Sequence, residues 1–297
     1  MKTDLLKAWI KASRPPFYIA TLVPLTIGWV LAAKGRDWHP GRFLLVNLAA
    51  FAVHMATNLI NDYFDHLHGT DAGQSIGGSR VIQEGLLSLN ALKKAIFFLY
   101  SFAAAIAFYL MGTLDLWLML PMLLFSLFSS VFYVAPPIRY GYHGLGELFV
   151  GVNMGPIMVV GTYWVFAGKV DWIPFCVSIP IALMVAAILY YQSLPDMETD
   201  RKVGKRTLAV RFGRSGAFIG LTIFWGLIYL SILFLVFAET ISPLALASLA
   251  TLPLFVRLLV IIRKTKDWKD LDQHGRYVRI LYFLNGCIII AALLLKK

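Results

Sequence analysis

Long uncharged, apolar stretches alternate with short charged ones along the whole chain. They fall at about 15–33, 43–60, 95–114, 116–138, 148–168, 172–195, 215–238, 240–256 and 280–295. A helix that crosses a bilayer needs roughly 20 mostly apolar residues, so the pattern predicts nine transmembrane helices in one bundle. The last two runs are short and reach across only if flanking Lys or Arg side chains snorkel. Pro24, Pro121, Pro156, Pro180 and Pro253 lie inside these runs. They are compatible with spans, because packed neighbours satisfy the backbone groups that proline frees. No linker, low-complexity tract or soluble insertion breaks the alternation, so residues 1–297 read as a single all-α, polytopic membrane domain.

Composition sharpens this picture. Charged residues make up 14% of the chain and hydrophobic residues 59%, against about 25% charged in soluble domains. Lipid is therefore the expected solvent and partner. The net charge of +11 does not mark a nucleic-acid binder, since the basic residues flank apolar runs and form no face of their own. Lys and Arg gather on the cytoplasmic side of membrane proteins. With a cytoplasmic N-terminus the inner segments hold 21 of them and the outer segments, which include Lys34, Arg36 and Lys297, hold 6. The expectation is a multi-pass protein of the cell membrane with its N-terminus inside. The charged start (Lys2, Asp4, Lys7, Lys11, Arg14) leads into the first run with no evident small-residue cleavage site, so that run reads as a retained span. Cys176 and Cys287 both sit in apolar runs and support neither a disulfide nor a Cys-based metal site.

Charged side chains near membrane depth are costly, so their placement carries information. One cluster, Asn58-Leu-Ile-Asn61-Asp62-Tyr63-Phe64-Asp65-His66-Leu67-His68-Gly69-Thr70-Asp71, ends the second span. Asn58, Asn61, Asp62 and Asp65 are spaced three and four apart and share one face of a continuing helix. A second, Gln192-Ser193-Leu194-Pro195-Asp196-Met197-Glu198-Thr199-Asp200-Arg201-Lys202-Val203-Gly204-Lys205-Arg206-Thr207, ends the sixth span, with Asp196 and Asp200 as an i,i+4 pair. Four crossings separate the clusters, so both face the same membrane surface, the cytoplasmic one. Their recurrence after four helices is compatible with an internal repeat that the remaining sequence does not clearly confirm.

Gathered carboxylates repel unless a cation sits between them. Mg²⁺ prefers oxygen ligands from a few carboxylates, water and substrate phosphates. Arg80 follows the first cluster, and Arg201, Lys202, Lys205 and Arg206 surround the second. Carboxylates for a metal beside cations for phosphate oxygens suit a diphosphate held through Mg²⁺. His54, inside the second span, reads more simply as a packed, hydrogen-bonded histidine. His66 and His68 lack the spacing of a helical zinc pair.

The two loops resemble those of the UbiA superfamily of intramembrane prenyltransferases, marked by Asn-Asp-x-x-Asp after helix two and Asp-x-x-x-Asp after helix six. Here these are Asn61-Asp62-x-x-Asp65 and Asp196-x-x-x-Asp200, and nine helices with the N-terminus inside agree with them. Many members place the next Asp four residues after the second motif Asp, where this chain has Gly69; its next acid is Asp71, as in the menaquinone-pathway branch. The stretches Gly77-Gly78-Ser79-Arg80-Val81-Ile82-Gln83-Glu84-Gly85, Tyr142-His143-Gly144-Leu145-Gly146-Glu147, and Gly155-Pro156 with Gly161-Thr162-Tyr163 are similar to that branch too. One departure stands out. The branch often has Asn-Asn-x-Arg-Asp before the second motif, where this chain has Gln192-Ser193-Leu194-Pro195-Asp196.

The resemblance implies a prenyl diphosphate donor, an aromatic acceptor, and prenylation of 1,4-dihydroxy-2-naphthoate with loss of its carboxyl group and of diphosphate. Asp62, Asp65, Asp196 and Asp200 would bind Mg²⁺, with Asn61 and Asp71 in support and Asn58 beside them. Arg80, Lys205 and Arg206 would neutralise phosphate charge. Arg14 and Arg139-Tyr140 are candidates for the acceptor end or, equally, interface anchors. Two rival readings stay open. The first is the same chemistry on 4-hydroxybenzoate, another quinone-ring precursor or an isoprenoid-lipid glycerol. The second is a cation-coupled transporter, which would more often carry its ionisable groups at mid-membrane.

Overall fold

In the computed structural model, residues 2–33, 38–71 and 75–296 are described, and among them every regular element is helical. Lys34, Arg36 and Lys297, counted above among the outer basic residues, lie outside the described residues. Helix α1 (Lys2–Ser13) buries Ala8 and Ala12 against Leu59, Val81, Leu87 and Leu92, and leaves Leu5, Leu6 and Ile10 exposed. The right-handed α region is disfavoured for a residue before proline, and α1 ends before Arg14, which precedes Pro15-Pro16 and takes the left-handed φ 54°. The segment through Phe17 and α2 (Ile19–Ala33) then lie at 55° to each other.

Helix α3 (Pro40–Leu67) has 28 residues, about 42 Å at 1.5 Å per residue, which exceeds a hydrocarbon core of about 30 Å by two turns. Those turns carry Asn61, Asp62 and Asp65. Helix α4 (Leu89–Leu114), capped by Ser88, packs along α3. Next come α5 (Leu120–Phe132) and one long bent span, Gly146–Ala167, made of α6 (Gly146–Val152), a π-turn (Asn153–Ile157) and α7 (Met158–Ala167). Helix α8 (Trp172–Gln192) is the buried axis of the second half, with Ile181, Met184, Tyr190 and Tyr191 essentially inaccessible. The short α9 (Met197–Lys202) follows, then α10 (Leu208–Phe237), α11 (Leu252–Lys264) with a 3₁₀ lead-in at Pro243–Thr251, and α12 (Arg276–Leu294).

Seven of these helices are long and apolar enough to span a bilayer, and an eighth joins them if the bent α1–α2 pair counts as one. The helix at the fourth expected position, Trp117–Phe132, is shorter. Two expected spans continue as helix past their apolar run, 43–60 into Pro40–Leu67 and 95–114 into Leu89–Leu114, while α10 is kinked at Gly213 (φ 67°, ψ −170°) just before its 215–238 run. The added turns are the polar ones, since hydropathy marks the lipid boundary and not the end of the helix. Phe97 and Phe98 on α4 and Phe234 and Phe237 on α10 are bare, as a multi-pass membrane protein requires of its lipid-facing surface.

Candidate active site

The last two turns of α3 and the segment after α8 meet at one end of the bundle, and the 75–80 loop stitches them together. Asp62, 3% exposed, accepts hydrogen bonds from the Ser79 main-chain N–H (3.0 Å), from the Ser79 hydroxyl, and from the Arg14 guanidinium. Asp196 accepts from Ile76 N–H (2.8 Å) and the Ser75 hydroxyl (3.2 Å). Arg80, at φ 60°, closes the loop by donating to the Ser75 carbonyl (2.6 Å). Two glycines make this fit possible. A Cβ on Gly77 would stand 2.9 Å from Asp196 Oδ2, and one on Gly78, itself at φ 76°, 2.5 Å from Asp71 Oδ2.

Asp65 accepts from the Tyr142 hydroxyl (2.6 Å), which also meets Thr70 Oγ1 (2.6 Å). Burial and the adjacent Asp65 carboxylate hold that phenol well above its ordinary pKa, so it remains a donor. Lys205 sits between the two motifs, 3.4 Å from Asp200 and 5.4 Å from the Tyr142 ring centre. Burial alone would lower the Lys205 ammonium, but Asp65 and Asp200 outweigh it and raise it. Burial pushes Asp200 up to about 6, with Lys205 opposing and Asp196 and Asp65 adding to it. Burial likewise pushes Asp71 up to about 7, reinforced by Asp65 and Asp62.

Asn58 donates to the Ser13 carbonyl (3.2 Å), while Asn61 Oδ1 is buried without a partner. Arg139 lies over the Tyr142 ring at 5.5 Å. Tyr140 is buried, stacked on Phe149 and bonded through its hydroxyl to the Ser129 carbonyl (2.6 Å). Arg206 is exposed; its main-chain N–H bonds to the Tyr142 carbonyl (2.8 Å), linking the second acidic loop to the Tyr140–His143 turn. The structure thus brings the five acids Asp62, Asp65, Asp71, Asp196 and Asp200, with Asn61, Arg14 and Lys205, to one mouth, with Arg80 shaping the loop and Arg206 at the rim.

Below the mouth lies a polar chamber of about 190 Å³, lined among others by Arg14, His54, Asn61, Tyr133, Tyr140 and Gln192. Val53, Ser126 and Met158 also line a second chamber of about 290 Å³, which continues between α3, α4, α5 and α7 and is almost wholly apolar. A charged mouth, a chamber edged with polar side chains and an adjoining apolar chamber suit an amphiphile with an anionic head and a hydrocarbon tail.

Sequence reasoning assigns no role to Ser75, Ile76, Ser79 or Tyr142, although the branch-like stretches hold Ser79 and Tyr142. The usable signal was the Gly-Gly pair followed by Ser-Arg, which marks a backbone folded tightly onto something. Main-chain donors such as Ile76 N–H leave no mark in a sequence at all.

Among the described residues no three His, Cys, Asp or Glu side chains converge to hold a metal unaided. Mg²⁺ does not require that, since it binds through one or two carboxylates together with water and phosphate oxygens. The donor set here is all oxygen, and the unpartnered Asn61 Oδ1, on the same helix end as Asp62 and Asp65, fits such a hard cation.

The comparisons with known proteins agree with this geometry. The chain is 30% identical over 232 residues to 1,4-dihydroxy-2-naphthoate octaprenyltransferase of Bacillus subtilis, covering 78% of this chain and 74% of that one. It is 26% identical over 296 residues to 2-carboxy-1,4-naphthoquinone phytyltransferase of Synechocystis, covering 96% and 92%. The fold is similar to that of a UbiA homologue from Archaeoglobus fulgidus solved with GPP and Mg²⁺, at TM-score 0.63 and 14% identity over 96% of this chain and 99% of that one. The UbiA prenyltransferase family model matches residues 21–283. A charged mouth over an apolar chamber, in a chain matched almost end to end, identifies a membrane prenyltransferase that belongs to the UbiA prenyltransferase family.

Proposed function

We propose that this protein transfers a polyprenyl group from a polyprenyl diphosphate to 1,4-dihydroxy-2-naphthoate, with Mg²⁺ as cofactor. The observation that carries this is the convergence of both carboxylate motifs, with Lys205 between them, over a polar chamber that opens into an apolar one. The naphthoate acceptor is supported by the printed activity of the Bacillus relative. Counting α1–α2 and α5 as spans gives nine, with the N-terminus and the acidic mouth on the cytoplasmic side of the cell membrane, in line with the skew of basic residues.

Asp62, Asp65, Asp196 and Asp200 would hold Mg²⁺, assisted by Asn61 and Asp71. The metal supplies charge neutralisation to the departing diphosphate. Lys205, fixed as a cation, adds to that at the mouth, as preorganised charges do for phosphate groups. The allylic C–O bond breaks with its electron pair going to diphosphate. The ring carbon that bears the carboxyl group forms the new C–C bond, and the carboxyl group leaves as CO₂, returning its bonding pair to the ring. The apolar chamber keeps water from the allylic cation.

Gln192-Ser193-Leu194-Pro195 places no Arg before Asp196, a departure from the branch at a position that could serve the acceptor; the second reading is the same transfer to 4-hydroxybenzoate. Offering both acceptors with a single prenyl diphosphate separates the two. The naphthoate product dominates if the proposal holds; a dominant benzoate product overturns the acceptor and leaves the donor site standing.

A further inference from the structure

Four side-chain atoms in the wall of the polar chamber are sealed from solvent yet have no hydrogen-bond partner: Arg14 Nε, Asn61 Oδ1, Ser129 Oγ and Asn153 Oδ1. Buried polar atoms are rarely left in this state without a functional reason. Arg14 and Asn61 belong with the carboxylates. Asn153 does not. It lies six residues into the span from Glu147, about 9 Å along the axis, below the acidic mouth.

Asn153 also opens the π-turn Asn153–Ile157. Such widened turns inside α-helices are uncommon and concentrate at functional sites; here Pro156 has no N–H to sustain the regular ladder. The Asn153 amide nitrogen donates to the Phe149 carbonyl at 2.8 Å. Only a donor can face a carbonyl, so the orientation of this amide is fixed, and Oδ1 remains as a pure acceptor.

His54 reaches the same chamber from α3. Its Nδ1 meets Thr21 Oγ1 at 2.6 Å, and Tyr18 packs edge-on at 5.9 Å between ring centres. The ring is thereby held, while its second nitrogen has no hydrogen-bond partner among the described residues. Two immobilised polar groups on different helices, with the Tyr133 and Phe17 rings in the same wall, match a flat aromatic that carries two hydroxyl groups.

We propose that Asn153 and His54 read the two hydroxyls of the acceptor ring: Asn153 Oδ1 accepts a hydrogen bond from one, and the free imidazole nitrogen of His54 pairs with the other. The pair makes the chamber selective for a dihydroxylated ring over a monohydroxylated one. This rests on the aromatic-acceptor reading given above.

The test compares 1,4-dihydroxy-2-naphthoate with 1-hydroxy-2-naphthoate, using one polyprenyl diphosphate, in wild-type, Asn153→Ala, Asn153→Leu, His54→Leu and His54→Gln protein. The rings differ in intrinsic reactivity, but that difference is the same in every variant, so the change in the kcat/KM ratio isolates recognition. The expected result is a preference for the diol that falls at least tenfold in both Asn153 variants and in His54→Leu, mainly through KM for the diol. His54→Gln, which keeps a hydrogen-bonding group, recovers part of the preference. Mg²⁺-dependent binding of the prenyl diphosphate stays at the wild-type level and reports an intact fold. An unchanged ratio in the Asn153 and His54→Leu variants with intact donor binding overturns the inference alone. Wild-type protein that binds the donor and prenylates neither ring overturns the acceptor reading and this inference with it.

Discussion

Asp65→Asn is the sharpest perturbation of the proposed metal site, because it changes charge at nearly constant shape. Asp65 accepts the Tyr142 hydroxyl at 2.6 Å, and an amide oxygen can accept the same bond. A hydrogen bond to a charged acceptor contributes about 1 kcal/mol more than one to a neutral acceptor. Against that loss, the substitution removes a negative charge that pushes up both Asp71 and Asp200, but it also takes from buried Lys205 one of the two carboxylates that keep it charged. These opposing effects leave a net destabilisation of about 1–2 kcal/mol, a shift of a few degrees in thermal midpoint at about 2–4 °C per kcal/mol. The catalytic loss is much larger. Removing one carboxylate from a metal site takes away on the order of 3–5 kcal/mol of transition-state stabilisation, which is about 10²–10⁴ in rate. Prenyl transfer in proteoliposomes measures the second quantity, and circular dichroism with thermal unfolding in detergent measures the first. A folded Asp65→Asn protein within threefold of wild-type kcat/KM at saturating Mg²⁺ would refute the assignment.

Further predictions follow from the same geometry. Gly78→Ala meets backbone strain of about 1–2 kcal/mol at positive φ together with a contact on Asp71, so the 75–80 loop should shift and donor binding weaken at least tenfold. Gly85→Ala, at φ 69° with nothing nearby, should cost the strain alone and leave transfer intact. Arg14→Ala strands buried Asp62 without its cation, a lesion of about 3–5 kcal/mol. The drop in thermal midpoint should shrink when Mg²⁺ and prenyl diphosphate are both present, and a drop unaffected by them contradicts the metal role of Asp62. Finally, Asp200 and Asp71 titrate near 6 and 7, above the ordinary carboxylate range, and Mg²⁺ binds only the ionised forms. Apparent Mg²⁺ affinity should therefore fall as pH drops from 8 to 5.5 and level off above pH 8. A Mg²⁺ requirement flat across that range argues against these carboxylates as ligands.

The helical architecture and the acidic mouth were legible in the sequence for a physical reason. Lipid leaves apolar runs little freedom except to be spans, and paired Asp at three- and four-residue spacing must share a helix face. What stayed hidden depends on backbone. Asp62 and Asp196 are each gripped by the main chain of the 75–80 loop, and no side-chain pattern announces that Ile76 N–H and Ser79 N–H are the donors. Arg14 was visible as a basic residue before Pro-Pro, but its pairing with Asp62 depends on how the bent α1–α2 pair lies against α3, which no local pattern specifies. His54 read as a packed histidine. It is hydrogen-bonded to Thr21, yet it also faces the chamber, because its exposure is set by where α5 and the π-turn of the α6–α7 span stand, and periodicity along α3 carries no trace of them.

The most direct test of the central claim uses purified protein in lipid, a polyprenyl diphosphate, and 1,4-dihydroxy-2-naphthoate labelled in its carboxyl carbon, with either Mg²⁺ or excess EDTA. The account predicts labelled CO₂ released in step with a prenylated naphthoquinol when Mg²⁺ is present, and neither product in EDTA. A prenylated product that retains its carboxyl label, or transfer that persists in EDTA, would contradict it.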